Sequence, residues 1–142
     1  MGPGQIEMVE VAPRDGLQNE KTLIETADKI ALIERAIAAG SRRIEVTSFV
    51  NPKAVPQMAD AEAVCEGLPE RNDVTFIGLV MNARGATRAL ATGRIDQLGA
   101  VAVSTDSFAM ANQGQTSDGS VDAAKEIIAL SQAAGKTGQV TL

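Results

Sequence analysis

The sequence predicts an α/β protein built on a parallel sheet, and three observations carry that prediction. Short β-like runs alternate with helical segments at intervals of roughly thirty residues, the order that βαβ units impose. The run from Val74 to Val80, VTFIGLV, is continuous in apolar and β-branched residues, as a strand covered on both faces requires. The helical segments close on glycines, at Gly40, Gly93 and Gly135, where a left-handed stop is available without a Cβ clash.

In chain order, Ile6 to Val11 reads as a first strand, with Ile6, Met8 and Val9 apolar. Thr26 is placed to cap a helix running to Ala39, in which Ile30, Ile33 and Ile37 share one face. Ile44 to Thr47 is a second strand. Turn formers follow, Asn51-Pro52-Lys53 and Pro56, and then a helix from about Met58 to Gly67. Val74 to Val80 is the third strand, Ala83 to Ala91 a helix, and Leu98 to Val103 the fourth strand. Gln113-Gly114 and Asp118-Gly119 read as loop punctuation. Ser120 then caps a helix to Ala134, with Asp122 in its first turn favouring the dipole. Val140 to Leu142 begins a fifth strand. Two closures fit this pattern, a doubly wound open sheet or part of a (β/α)₈ barrel. A full barrel takes about 250 residues, so 142 supply about half. No linker, low-complexity tract or second domain interrupts the run.

Composition narrows the function classes. At 44% hydrophobic the chain can build a core, and with Phe49, Phe76 and Phe108 its only aromatic rings, that core is Ile, Val, Leu, Met and Ala. The scattered methionines read as core filler. A net charge of −5 without a Lys/Arg run argues against a nucleic-acid partner. The one cysteine, Cys65, cannot pair internally; it reads as a small buried hydrophobe in a reducing compartment. No apolar stretch approaches the ~18 residues of a membrane span. Met1-Gly2-Pro3-Gly4 shows no leader pattern, and the cytoplasm is the expectation. The sequence has no histidine, so it lacks the commonest metal ligand and neutral-pH acid/base.

Chemistry concentrates where strands end. After the first predicted strand comes Glu10-Val11-Ala12-Pro13-Arg14-Asp15-Gly16-Leu17-Gln18. Carboxyl ends of strands face the active site in β/α folds. Arg14 beside Asp15 sets a cation for a developing oxyanion next to a hard-metal ligand. Alone, such a turn is equally a tight turn closed by a local ion pair. Glu45 lies inside the apolar run Ile44-Glu45-Val46. Buried there it needs a partner, and Arg14 is the natural one if the strands adjoin; an outward-facing strand residue is the alternative.

Taken together, EVAPRDGLQNEK and IEVTSFVNPKAVPQMAD closely resemble hydroxymethylglutaryl-CoA lyases in order and spacing. The match is strong from Glu7 to Asp60 and continues as a fold-level similarity. Asn82 and the Phe108-to-Asn112 spacing also follow the family. The resemblance implies a (β/α)₈ TIM barrel, related to the pyruvate carboxyltransferase-like domains, of which residues 1–142 supply roughly the first four β/α units. It implies cleavage of 3-hydroxy-3-methylglutaryl-CoA to acetoacetate and acetyl-CoA with a divalent metal, Mg²⁺ or Mn²⁺. Asp15 would ligate the metal, and Arg14 would stabilise the acetyl-CoA enolate. Glu45, with Arg14 one of two catalytic residues, would position Arg14 and the metal site, with Glu10 near enough to help hold the arginine. Gln18, Ser48 and Asn82 would line the substrate pocket.

The sequence departs from the family too. It has no His-x-His pair, no Gly-rich loop with a catalytic cysteine and no later Asn ligand. Ala12 stands for the usual Gly, Asn51 for Ser, and Thr105-Asp106 for Ser-Glu. Arg42-Arg43 reads as a solvated pair, with contact to a CoA phosphate as the alternative. Expected partners are therefore a small acyl-CoA and further copies of the chain, with no nucleic acid and no membrane. Two other readings stay open: a lyase for another 3-hydroxyacyl-CoA such as citramalyl-CoA, and a non-catalytic half-barrel that dimerises or binds a partner.

Overall fold

Four parallel strands form one sheet: β1 Arg43–Ser48, β2 Thr75–Leu79, β3 Gln97–Val101 and β4 Thr137–Thr141. The structure is a computed structural model that describes residues 4–142; Met1 to Pro3, read above for a leader, lie outside the described residues. The spatial order of the strands is their order in sequence, and every neighbouring pair is parallel. A doubly wound sheet reverses at a switch point. This sheet advances strand by strand, as a (β/α)₈ barrel does, and right-handed crossovers that all advance one way put their helices on one face. Those helices are α1 Thr26–Ala38, α2 Ala61–Glu66, α3 Ala83–Ala91, α4 Asp106–Gln113 and α5 Ser117–Ala133.

The other face curls inward. Arg43 on β1 donates to the side-chain oxygens of Gln97 on β3 and Gln139 on β4, the latter at 3.0 Å. β1 and β4 are three spacings apart, about 14 Å on a flat sheet, so this contact requires strong curvature. The molecule is a half-barrel.

Between sheet and helices lies an apolar core in which Ile33, Ile44, Val64, Phe76, Leu98 and Ile127 are buried. Alanines such as Ala86, Ala89 and Ala124 let the helices sit close to the strands. Close approach also fixes Gly85, at which a Cβ would lie 2.8 Å from the Phe49 carbonyl oxygen. Helix α1 buries positions 29, 33 and 37, a stripe with a repeat of four. It ends where Gly40 takes a φ of 108°, a conformation that favours glycine. Among the described residues no helix is long and apolar enough to cross a membrane.

Several expectations need correction. Residues 6–11 do not make a strand: only Glu10 joins the sheet, through single bonds with Arg43 O and Glu45 N, both 2.9 Å. No described strand lies on its other flank, so Ile6 and Met8 stay exposed. Thr26 is the first residue of α1 and not its cap; the cap position is Glu25, without a side-chain bond, because the Thr26 hydroxyl goes to Asp60 at 2.6 Å. The helix expected from Met58 to Gly67 divides into a 3₁₀ turn, Pro56–Met58, and α2. Helix α4 was not expected at all. Thr116, and not Ser120, caps α5 by accepting from Gly119 N at 3.1 Å, so Asp118-Gly119 lies inside the helix. Asp118, and not Asp122, is the acid of the first turn. Of the methionines, Met58 is buried, whereas Met8 and Met110 are exposed.

Candidate active site

The site is built on a turn. Residues Ala12–Gly16 wind as one π-helical turn, started by Pro13 near its beginning, where a missing N–H is harmless. The Val11 carbonyl accepts from Asp15 N at 2.7 Å and from Gly16 N at 3.3 Å. Single π turns of this kind recur at functional sites. Glu10 helps form it by accepting from Ala12 N at 2.8 Å; its bond is to the turn's backbone, not to the Arg14 side chain.

The turn aims Arg14 across the sheet face. Its Nε donates to Glu45 Oε1, and its Nη1 donates to Asp15 Oδ1 at 2.9 Å. The side chains of Arg14 and Glu45 are 17% and 6% exposed, whereas Asp15 is 58% exposed. The structure thus brings together the three residues singled out from sequence. A buried carboxylate fixes the cation, and an open carboxylate stands beside it.

A bulge in β1 gives the site its second contact. Glu45 pairs with Ile77, but the next paired residue is Thr47, opposite Gly78, with Ser48 opposite Leu79. Val46 is therefore an extra residue. In a regular strand, positions 45 and 48 would point to opposite faces. The bulge turns Ser48 to the face that carries Glu45. There Ser48 Oγ donates to Gln18 Oε1 at 3.3 Å, so both β1 side chains meet the 12–18 segment. Gly99 on β3 lies beside Glu45 on this face, where a Cβ would meet Glu45 Oε2 in ordinary contact at 3.6 Å.

Asn82 lies elsewhere in role: its Oδ1 caps α3 by accepting from Gly85 N at 2.9 Å. The Asn112 side chain donates to Phe108 O within α4, at 3.1 Å. The arginine pair is not a solvated doublet. Arg42 contacts Asp73 at 3.4 Å, while Arg43 turns onto the inner face toward Glu7, Gln97 and Gln139. Both stand at the amino ends of the strands, away from Arg14. Cys65 is fully buried, and burial pushes its thiol up to about 12, which removes it as a nucleophile at neutral pH.

A hard cation needs about six oxygen ligands in close array. Among the described residues no group of three His, Cys, Asp or Glu side chains converges as a metal site, and one Asp15 oxygen already holds Arg14. These residues do not build a metal cage by themselves; Asp15 offers one exposed hard-oxygen donor.

Two residues that sequence reading missed are Lys29 and Gln57. Lys29 is buried and reaches Asp60 at 2.6 Å and the Gln57 carbonyl. Its signal was in the sequence: a lysine on the same repeat-of-four stripe as Ile33 and Ile37.

No protein-family model matches the chain. Known proteins do. The Pseudomonas aeruginosa 3-hydroxy-3-isohexenylglutaryl-CoA/hydroxymethylglutaryl-CoA lyase is 46% identical over 110 residues, 78% of this chain and 36% of that protein. The (R)-citramalyl-CoA lyase of Chloroflexus aurantiacus is 48% identical over 98 residues, 62% of this chain and 31% of that one. A solved Pseudomonas aeruginosa hydroxymethylglutaryl-CoA lyase superposes with a TM-score of 0.89 at 37% identity, covering 97% of this chain and 46% of its own. The chain spans less than half the length of each of these three proteins. With the Arg14–Glu45–Asp15 arrangement, the strand order and these similarities agreeing, the chain belongs to the hydroxymethylglutaryl-CoA lyase family.

Proposed function

We propose that this chain forms one side of the active site of a lyase that cleaves 3-hydroxy-3-methylglutaryl-CoA to acetoacetate and acetyl-CoA. The observation that carries the reading is Arg14 held by Glu45 and flanked by Asp15 at the end of the sheet. In a retro-Claisen cleavage a base takes the proton of the tertiary hydroxyl and its C–O becomes a ketone. The electron pair of the breaking carbon–carbon bond passes into the thioester, giving an enolate that takes up a proton at carbon to become acetyl-CoA. Charge therefore grows on the thioester oxygen in the transition state, and a fixed cation there lowers the barrier without reorganising. Arg14 Nη2, which neither carboxylate takes, is the nitrogen that faces this oxygen. Glu45 keeps the guanidinium in place, and Gln18 and Ser48 contact the substrate beside it. A divalent cation, Mg²⁺ or Mn²⁺, is the group toward which Asp15 would donate, joined by ligands from outside these residues. Asn82, whose Oδ1 caps α3, would line the substrate pocket through its amide nitrogen.

The match to the citramalyl-CoA lyase favours a second reading, the same chemistry on citramalyl-CoA. One experiment tests both. Residues 1–142 are joined to the remaining barrel units of the Pseudomonas relative, and the fusion is assayed on the two thioesters. Faster release of acetoacetate and acetyl-CoA from the methylglutaryl thioester is expected, with kcat falling about 10²–10³-fold in Arg14→Gln. Faster turnover of citramalyl-CoA would select the second reading. A folded fusion that cleaves neither would remove both.

A further inference from the structure

We propose that Gln57, Lys29 and Asp60 form a clasp that locks two site loops together, with Gln57 positioning Gln18. The proposal rests on the reading of the Arg14 end of the sheet as the reaction centre.

The geometry is cross-linked from both sides. The Gln57 side chain, although buried, belongs to one loop and bonds only to the other. Its Oε1 accepts from Ile24 N at 2.9 Å, and its Nε2 donates to Thr22 O at 2.8 Å and Glu20 O at 3.3 Å. It thereby grips the backbone of residues 20–24, which no strand or helix supports. The Gln57 backbone is held in turn, because Lys29 Nζ donates to its carbonyl. The same ammonium bonds to Asp60 Oδ1 at 2.6 Å, and Thr26 Oγ1 donates to Asp60 Oδ2 at 2.6 Å. Both carboxylate oxygens and three of the four hydrogen-bonding sites of the amide are thus used. A buried lysine is tolerated only with such partners.

The two clasped segments are the walls of one groove of about 370 Å³, lined among others by Gln18, Asn19, Lys21, Val55, Pro56 and Gln57. Gln18 begins one wall and bonds to Ser48 at 3.3 Å. That contact is long for a hydrogen bond of this type, so it has little power to hold Gln18 by itself. The clasp does the holding: by fixing residues 20–24 it fixes the wall that carries Gln18. Lys29, Asp60 and Gln57 are positioning residues and touch no reacting atom.

The test uses the 142-residue chain and needs no turnover. Gln57→Leu keeps the side-chain volume and removes its three bonds. Amide exchange at residues 20–25 is expected to rise about tenfold or more, with β2 and β3 changing less than about twofold. The Gln18 side-chain amide resonances should move, while the Arg88 Nε–H resonance, anchored on Glu62 at 2.8 Å, should not. Unchanged exchange at 20–25 would overturn the clasp. So would a rise of equal size through the sheet, or Arg88 and Gln18 moving together, since those report general loss of stability. Should Gln57→Leu not fold, Thr26→Val, which removes only one bond to Asp60, is read the same way, with a rise of about threefold expected. None of these readouts involves cleavage, so a chain without lyase function leaves the clasp standing, and a failed clasp leaves the lyase reading untouched.

Discussion

Along β1, side chains are joined by charge and amide bonds: Arg14 to Glu45, Gln18 to Ser48, Gln57 to residues 20–24, Lys29 to Asp60. Along β4 the material differs. The groove between β4 and α5 is lined by Ala102, Val121, Ile128, Val140 and Leu142, and Val140 and Leu142 are exposed. Near it, Phe108 and Met110 of α4 also face solvent. The chemical machinery is thus packed into one flank of the half-barrel, and the other is shaped by apolar surface. Polar bonds fix atoms in direction as well as distance, which a site needs; apolar packing fixes volume. The two flanks should therefore answer substitution differently.

The largest effect is expected on the β1 flank. Glu45→Ala leaves Arg14 mostly buried without its carboxylate, and breaking a buried pair from one side costs about 3–5 kcal/mol. Urea unfolding of the variant would measure it. A loss under about 1 kcal/mol would mean that Arg14 swings out to solvent without penalty, and that Glu45 does not hold it.

For comparison, the β4 flank has buried serines of its own, Ser131 donating to Thr137 O and Ser120 beside the end of β3. Ser120 Oγ accepts from Val103 N at 2.9 Å and donates to Ser117 O at 2.6 Å. Ser120→Ala leaves a buried N–H unpaired and should cost about 1–3 kcal/mol, less than the charged pair. Unfolding curves of the two variants side by side would rank the flanks; a larger loss for Ser120→Ala would reverse the comparison.

Smaller still is the expected effect of Val140→Lys. Its side chain is already exposed, so stability should shift within about 0.5 kcal/mol. Binding of an apolar fluorescent dye should fall, because Val140 lines the apolar groove of that flank. Unchanged dye binding would place the sticky surface elsewhere, at Ile6 and Met8 being the next choice.

The same two flanks explain what the sequence could and could not disclose. The alternation of elements was legible because each strand and helix carries its own periodicity. That Arg14 and Glu45 would meet was legible because a carboxylate buried in β1 needs a cationic partner. The bulge at Val46 was not, since register belongs to a pair of strands and β1 alone obeys a period of two. Reading residues 6–11 as a strand failed for a related reason: apolar alternation shows that a face exists, not that anything covers it. Helix α4 was missed because of its eight residues only Ala109 is buried, leaving no stripe to detect. Lys29 sat in plain view on the buried stripe of α1, but a charge at a core position signals a partner only once Asp60 and Gln57 are brought beside it.

The weakest expected effect concerns an ion pair of the β1 flank that lies outside the site. Arg71 holds Asp73 with two bonds of 2.7 Å, Nε to Oδ1 and Nη2 to Oδ2. That fork brings the Asp73 carboxyl down to about 2 from an ordinary value of 3.8. Because the folded value is the lower one, any stability it confers is present above the ordinary value and is lost as pH falls from there toward 2. Both partners are open to water, which screens the pair, so the gain in stability is slight. Carboxyl NMR should find Asp73 titrating near 2, and Arg71→Gln should return it toward the ordinary range with the unfolding midpoint barely changed. A surface pair would then shift a titration while hardly affecting the fold, whereas Glu45 governs the fold through burial. If Arg71→Gln instead destabilised the chain as much as Glu45→Ala, directional bonding and not burial would set the size of the effect, and the site would not differ from the surface in this respect.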